Sequence, residues 1–291
     1  MSESTLELIE KFSSEFEKSG LVFGHGTDNA FDDALFLALN ALGWDYNDTS
    51  YDRLRENLSR REQDKVKYAL NRRLSERIPA AYIAKKMWFA GTEYLIDSRV
   101  LVPRSPIATL IHNRFKPWLK KGEPKHILDI GTGSGCIGIA CALAFPEAKV
   151  DGVDISREAL AVAQINAVRQ NVTGRVNFIE ADVFPVGGIY DLIVSNPPYV
   201  PDDVVSGLPD EYTAEPKIAL AGGADGLDIL DKILNGARRY LRADGILVVE
   251  VGGSRELVEK RYPHLELMWI ESEDALAGVF VVDRVSLPSV R

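Results

Sequence analysis

Asn196-Pro197-Pro198-Tyr199 follows the apolar run Ile193-Val194, and its residue types suit one kind of chemistry. Proline lacks an N–H and fixes φ, so the strand must stop here. A residue before proline is pushed to extended geometry, so Pro197 sets the backbone of Asn196 and Pro198 that of Pro197. The Asn196 side-chain oxygen and the Pro197 carbonyl then form a rigid pair of acceptors. Such a pair can receive both N–H groups of a planar NH2 in an amide or aromatic amine. The lone pair of that nitrogen is delocalised, and the two acceptors favour the pyramidal form that localises it. Positive charge grows on nitrogen as a methyl group arrives, so the acceptors bind the transition state more strongly than the ground state. Asn196, Pro197 and Tyr199 are the catalytic candidates, with Pro198 beside them for substrate binding. Tyr199 is expected to pack against the planar group and exclude water. No histidine or cysteine nucleophile is required.

A second constellation lies upstream. Asp129-Ile-Gly131-Thr132-Gly133-Ser134-Gly135 ends one strand, and its glycines allow a tight turn and close approach to a ligand. Asp154 ends the next strand, where an acid can accept from ribose hydroxyls. Asp182, in Glu-Ala-Asp-Val-Phe, follows a third strand and could accept from an adenine amine. As a lone residue it could equally be a turn former. Gly133 to Gly138 also fits G-x-G-x-x-G, so a nicotinamide-dependent oxidoreductase is a rival reading.

These residues need a frame to bring them together. Strand candidates at 126–130, 149–154, 176–180 and 190–195 alternate with helical stretches at 136–145 and 156–170, which implies a parallel, doubly wound sheet. A helical pattern over 225–242 leads into a strand at 246–252. The segments 265–270 and 278–284 leave little room for a crossover, so they are expected to close the sheet edge as an antiparallel hairpin. An amphipathic helix is expected from about 106. Residues 87–104 read as a β-hairpin. The first 80 residues read as helices at 3–18, 28–43 (capped by Asp28 and closed by Gly43) and 51–77, the last with a break. The expected domains are a helical substrate-recognition unit at 1–85, a hairpin linker at 86–105, a catalytic domain at 106–285 and a tail at 286–291.

Composition narrows the function. The 291 residues carry a formal charge of −9, which disfavours a dedicated nucleic-acid binder. The basic stretch 51–78 is either an ion-paired, solvated helix or a face for RNA. Cys136 and Cys141 are expected to be free buried thiols, and the scattered histidines argue against zinc. No apolar run is long enough for a membrane span, and the acidic N-terminus does not read as a secretion signal, so a cytoplasmic protein is expected.

In this order and spacing, D-I-G-T-G-S-G, Asp154, A-D-V-F and N-P-P-Y resemble class I S-adenosylmethionine-dependent methyltransferases over about 106–284. The resemblance implies an α/β, Rossmann-like sheet with an antiparallel C-terminal hairpin, preceded by a small all-helical domain. It implies S-adenosylmethionine as cofactor, held by Asp129, Gly131 to Gly135, Asp154, Ile155, Asp182, Val183 and Asn196. Enzymes with this tetrapeptide methylate adenine, cytosine or protein glutamine. The helical N-terminal unit, E-Y-T-A-E-P (211–216) and A-L-A-G-G-A-D-G-L (219–227) are similar to the glutamine branch. Pro103-Arg104-Ser105-Pro106, G-H-G-T-D-N-A (24–30) and W-F-A-G-T-E-Y (88–94) resemble the enzymes acting on ribosomal protein number three of the large subunit. The alternatives are the GGQ glutamine of release factors and a nucleic-acid base. Arg104 is either a carried-over functional residue or an ordinary surface pair.

Overall fold

A computed structural model describes residues 3–46, 48–270 and 278–288. Helix α1 (Thr5–Lys18) starts at a capping box, in which Ser4 and Glu7 satisfy each other's backbone N–H. Helix α2 (Ala30–Leu42) is capped by Asn29, one residue after the expected Asp28. The Asn29 carboxamide oxygen accepts from the Asp32 N–H at 2.9 Å, and Gly43 closes the helix at φ 68°. The basic stretch divides, as expected, into α3 (Tyr51–Leu54) and α4 (Arg60–Glu76). A five-residue helix that the sequence pattern did not signal, α5 (Ala80–Ala84), follows Pro79. Leu8, Ile9, Phe16, Leu37 and Leu70 are among the side chains that close this unit's own core.

Strands β1 (Lys86–Phe89) and β2 (Thr92–Leu95) form a hairpin shorter than the expected 87–104. Its two-residue turn, Ala90-Gly91, has φ of 47° and 77°, the double positive φ that a tight hairpin needs. Met87, Phe89 and Tyr94 belong to the core of the following sheet, not to the helical unit. The hairpin is therefore packed structure on the catalytic side, not a loose tether.

Helix α6 (Ile107–His112) is only six residues long. Beyond it come β3 (His126–Ile130), α7 (Cys136–Ala144), β4 (Lys149–Asp154), α8 (Arg157–Arg169), β5 (Val176–Glu180) and β6 (Tyr190–Ser195). Then follow α9 (Asp202–Val205), α10 (Asp228–Tyr240), β7 (Leu241–Glu250), α11 (Arg255–Arg261), β8 (Met268–Trp269) and β9 (Val279–Asp283). Helix α11 was not anticipated, and β8 is shorter than its expected span; residues 271–277 and 289–291 lie outside the described residues. The sheet order is β5-β4-β3-β6-β7-β9-β8, parallel through β7 and antiparallel across β9 and β8. Helices cover both faces, so central strands are apolar on both sides. Leu192 and Val194 of β6 face one core, while Ile193 between them faces the other.

The strand order reverses between β3 and β6, which are neighbours with Ile130 opposite Ser195. Ligands in such sheets bind at this switch point, outside the carboxyl ends of the strands. The glycine loop leaves β3 there, and Asn196 leaves β6 one residue past the last paired position.

Candidate active site

A cavity of about 340 Å³ opens at the switch point, within the size range of small-molecule sites. Gly131, Thr132, Gly133, Ser134, Asp154, Ile155, Asp182, Val183, Asn196, Pro197 and Pro198 all line it. Three other sequence candidates, Asp129, Gly135 and Tyr199, are not on its wall.

The glycines divide their work. Gly131 and Gly133 have φ of 68° and 55°, and a Cβ on either would meet nothing nearer than 3.9 Å. A side chain there would enter the cavity, so these two leave room for a ligand. A Cβ on Gly135 would lie 3.0 Å from Ala163 and Ile139, so this glycine serves packing between α7, α8 and the sheet. Asp129 sits behind the loop, fully buried, accepting from Thr132 Oγ1 (2.6 Å) and the Gly138 N–H (2.8 Å). Burial pushes its pKa to about 6 against those two bonds. Its role here is to hold the loop's shape. The Gly138 N–H is spent on that carboxylate, and a Cβ on Gly138 would crowd it at 3.0 Å.

Asp154 accepts from the Gly133 N–H through one oxygen and from the Ser156 N–H through the other, each at 2.9 Å. Burial raises its pKa, and these backbone donors oppose the rise. Asp182 is paired with Lys232 at 2.8 Å on the cavity rim. Val183 beside it has φ 70°, a left-handed conformation that β-branched residues avoid. The Phe184 N–H donates to the Asp182 carbonyl across it, forming a γ-turn. Strained backbone of this kind concentrates at functional sites.

The Asn196 carboxamide has no hydrogen-bond partner among the described residues. Its backbone is held from both sides. Ser195 Oγ donates to the Ile130 carbonyl at 2.9 Å. Beyond the prolines, the Val200 N–H donates to the Leu220 carbonyl and the Gly222 N–H to the Val200 carbonyl. A Cβ on Gly222 would lie 2.7 Å from the Pro198 carbonyl oxygen, and one on Gly226 2.3 Å from that of Tyr199. The A-L-A-G-G-A-D-G-L segment is thus a backbone clamp on the tetrapeptide. The Tyr199 phenol is not on the cavity wall and donates to Glu250 at the end of β7 (3.3 Å).

A buried charge network backs the site. Arg104, on the cavity wall, makes two bonds to Glu215 (2.7 and 2.9 Å), whose side chain is wholly buried. This excludes the reading of Arg104 as an ordinary surface pair. Glu211, also buried, accepts from Arg77 (2.9 Å) and from the Val22 N–H (3.1 Å), and lies 3.7 Å from Arg73. Arg73 is itself buried and bonded to Asp33 at 2.6 Å. His25 lies 3.7 Å from Glu215 and edge-on to Tyr212, with neither ring nitrogen hydrogen-bonded. Burial lowers its pKa to about 4. Arg73 and Arg77 of the basic stretch therefore face inward to carboxylates, and Arg72 pairs with Glu76 along α4.

The model of the methyltransferase small domain family matches residues 113–208. A ribosomal protein uL3 glutamine methyltransferase from Burkholderia pseudomallei (strain K96243) is 41% identical over 294 residues, covering 98% of this chain and 95% of its own. A protein of the same description from Xanthomonas campestris pv. campestris is 43% identical over 281 residues, covering 96% and 90%. The chain belongs to the ribosomal protein uL3 glutamine methyltransferases. Among solved structures, the hMettl16 catalytic domain in complex with MAT2A 3'UTR hairpin 6 superposes with a TM-score of 0.54 at 12% identity. That match covers 84% of this chain and 91% of the other, and shows the shared fold. Family membership removes the nicotinamide reading of the glycine loop.

This chain also carries supporting residues that sequence reasoning passed over. Glu211 and Glu215 belong to the E-Y-T-A-E-P motif, but their partners could not be read from it. Glu250 gave a usable signal, being an acid inside the apolar run Ile246 to Val251. Asn166, fully buried on α8, donates to the carbonyls of Leu95 (3.0 Å) and Ser134 (2.9 Å), tying the hairpin to the glycine loop. Cys136 and Cys141 are free and buried. Among the described residues no helix is long and apolar enough to cross a membrane.

Proposed function

We propose that this chain transfers a methyl group from S-adenosylmethionine to the side-chain amide nitrogen of a glutamine in ribosomal protein uL3. The observation that carries this reading is the meeting of two halves in one cavity. Gly131, Gly133 and Asp154 line one side of it, and the free Asn196 carboxamide lines the other. The residues present fit the cofactor: two glycines leave open space where side chains would intrude, and a partly engaged carboxylate stands at the wall. When bound, S-adenosylmethionine would supply a methyl group already activated on sulfonium sulfur, the S–CH3 bond breaking to leave a neutral thioether while the amide nitrogen gives up one N–H proton.

The protein's own work is to bind and orient. Asn196 Oδ1 and the Pro197 carbonyl receive the two N–H groups of the substrate amide and keep its nitrogen facing the incoming methyl. Their partial charges meet the positive charge as it develops there, and being held in place they need no reorganisation. Asp154 would hold the ribose hydroxyls, Asp182 and Val183 would flank the adenine, and Ile155 lies beside them on the cavity wall. The 41–43% identity to uL3 enzymes over nearly the whole chain supports uL3 as the protein carrying the glutamine. The helical unit at 1–85 is its recognition domain, seated on the catalytic side through Glu211.

The test is incubation with isotopically labelled cofactor and either uL3 or a class I release factor, followed by peptide mapping. One methyl on a uL3 glutamine is expected. Label found only in the release factor would overturn the choice of substrate.

A further inference from the structure

Glu250 is a buried carboxylate that the methyl transfer does not use. It is 5% exposed, ends β7, and receives two hydroxyl donors from two different loops. Ser105 Oγ donates to one oxygen at 2.5 Å, and the Tyr199 hydroxyl donates to the other at 3.3 Å. Ser105 Oγ accepts from the Ile107 N–H at 3.2 Å, which directs its own hydrogen to Glu250. The Tyr199 ring is also fixed from behind. Gly252 has φ 51°, and a Cβ there would lie 2.6 Å from the ring. Tyr199 is thus oriented by β7 and the residues just after it, behind the wall of the cavity that Asn196, Pro197 and Pro198 line.

We infer that Glu250 is a positioning residue: it holds Tyr199 as an anchor, and through that anchor fixes the acceptor geometry of Asn196 and Pro197. The tetrapeptide needs such an anchor on physical grounds. Its prolines donate no hydrogen bonds, so the backbone between Ser195 and Val200 has few donors with which to secure itself. The Tyr199 hydroxyl is a donor within that stretch that reaches rigid structure. The end of a central strand is a fixed reference point, because β7 is paired on both sides. A small displacement of the acceptors is enough to lose orientation at the reacting nitrogen. Ser105 completes the arrangement by bracing Glu250 from the connection between the hairpin and α6.

This inference rests on the methyl-transfer reading, so its test carries one readout that does not. Glu250→Ala, Glu250→Gln, Tyr199→Phe and the Tyr199→Phe/Glu250→Ala double variant are compared with the unaltered protein on uL3. Turnover is expected to fall about tenfold in Glu250→Ala and in Tyr199→Phe, the scale of one lost hydrogen bond. The double variant is expected to be no slower than the slower single one. Glu250→Gln, which keeps an acceptor for Tyr199, is expected to recover to within about threefold, and the dissociation constant for S-adenosylmethionine to stay the same throughout. Amide hydrogen exchange at Val200 is expected to quicken in Glu250→Ala and Tyr199→Phe but not in Glu250→Gln, whether or not uL3 is methylated. If Glu250→Ala does not fold, Tyr199→Phe against Glu250→Gln decides alone. Unchanged turnover and exchange in Tyr199→Phe, or multiplicative losses in the double variant, would overturn the proposal. If the unaltered protein fails to methylate uL3, the function falls while the exchange result still judges the anchor.

Discussion

On the proposed reading Asn196 supplies the acceptor for the substrate amide while Asp154 serves the adenosine, so loss of Asn196 is expected to affect chemistry more than cofactor binding. In Asn196→Ala, turnover should fall about 10²–10³-fold, the cost of one preorganised polar contact, with cofactor affinity little changed. Steady-state kinetics beside calorimetry checks this. Asp154→Ala should do the reverse, raising the cofactor dissociation constant more than it lowers turnover at saturation. The acid–base state of Glu250 matters at the same scale. Burial pushes its pKa to about 7, opposed by the Ser105 and Tyr199 hydroxyls and the Arg104 guanidinium that face it. Both hydroxyls donate to it, an arrangement that suits the ionised form. Turnover should therefore rise through pH 7 as Glu250 loses its proton, and a pH profile of Glu250→Gln should lack that rise. The place of Asn196 and Pro197 on the cavity wall was legible from sequence because a strand ended by prolines puts them there. The partners of Glu250 were not, since Tyr199 is 51 residues away and Ser105 145.

The elements around the site divide between those that position it and those that keep it rigid. Strands β3 and β6 bring the glycine loop and the asparagine together because they pair at the point where strand order reverses. Strands β3, β4, β5 and β6 occupy the residues read from sequence, since each apolar run is bounded by charged, glycine or proline residues. The hairpin and β8 were misjudged in length. Their aromatic and β-branched residues continue past the last ladder bond into irregular backbone, where Ile96, Val100 and Val102 remain buried. The clamp over 219–227 was visible as a motif, but its purpose was not, because it depends on close approach to the Pro198 and Tyr199 carbonyls. Gly226→Ala should slow turnover and leave cofactor binding intact, because its Cβ would press on the Tyr199 carbonyl. Gly135→Ala should instead lower stability by about 1–3 kcal/mol through overpacking of α7 against α8. Thermal melts of the two variants beside their kinetics would distinguish the roles.

At the scale of the whole molecule, the helical unit and the catalytic sheet meet through buried charge. Glu211 and Glu215 leave one short segment after α9 and turn to opposite partners, Glu211 to Arg73 and Arg77 and Glu215 to Arg104. Removing one member of a buried pair leaves the other uncompensated, so Arg73→Ala should cost about 3–5 kcal/mol in denaturant unfolding. His25 adds a pH dependence. Its folded pKa of about 4 lies below the ordinary histidine value of 6.5, so the unfolded chain takes the proton first. Its contribution to stability is present above pH 6.5 and is lost as pH falls towards 4. Relative to its own value at pH 7.5, the stability of His25→Phe should gain about 2 kcal/mol on the unaltered protein by pH 5. The surplus of acidic over basic residues was plain in the sequence, but not that Glu211 and Glu215 are buried at this internal seam and matched there by arginines. The most direct test of the central claim is mass-spectrometric mapping of uL3 after reaction with the protein and S-adenosylmethionine. A gain of one methyl group on a single glutamine side chain is predicted; methyl on any other residue type, or on no residue of uL3, would contradict it.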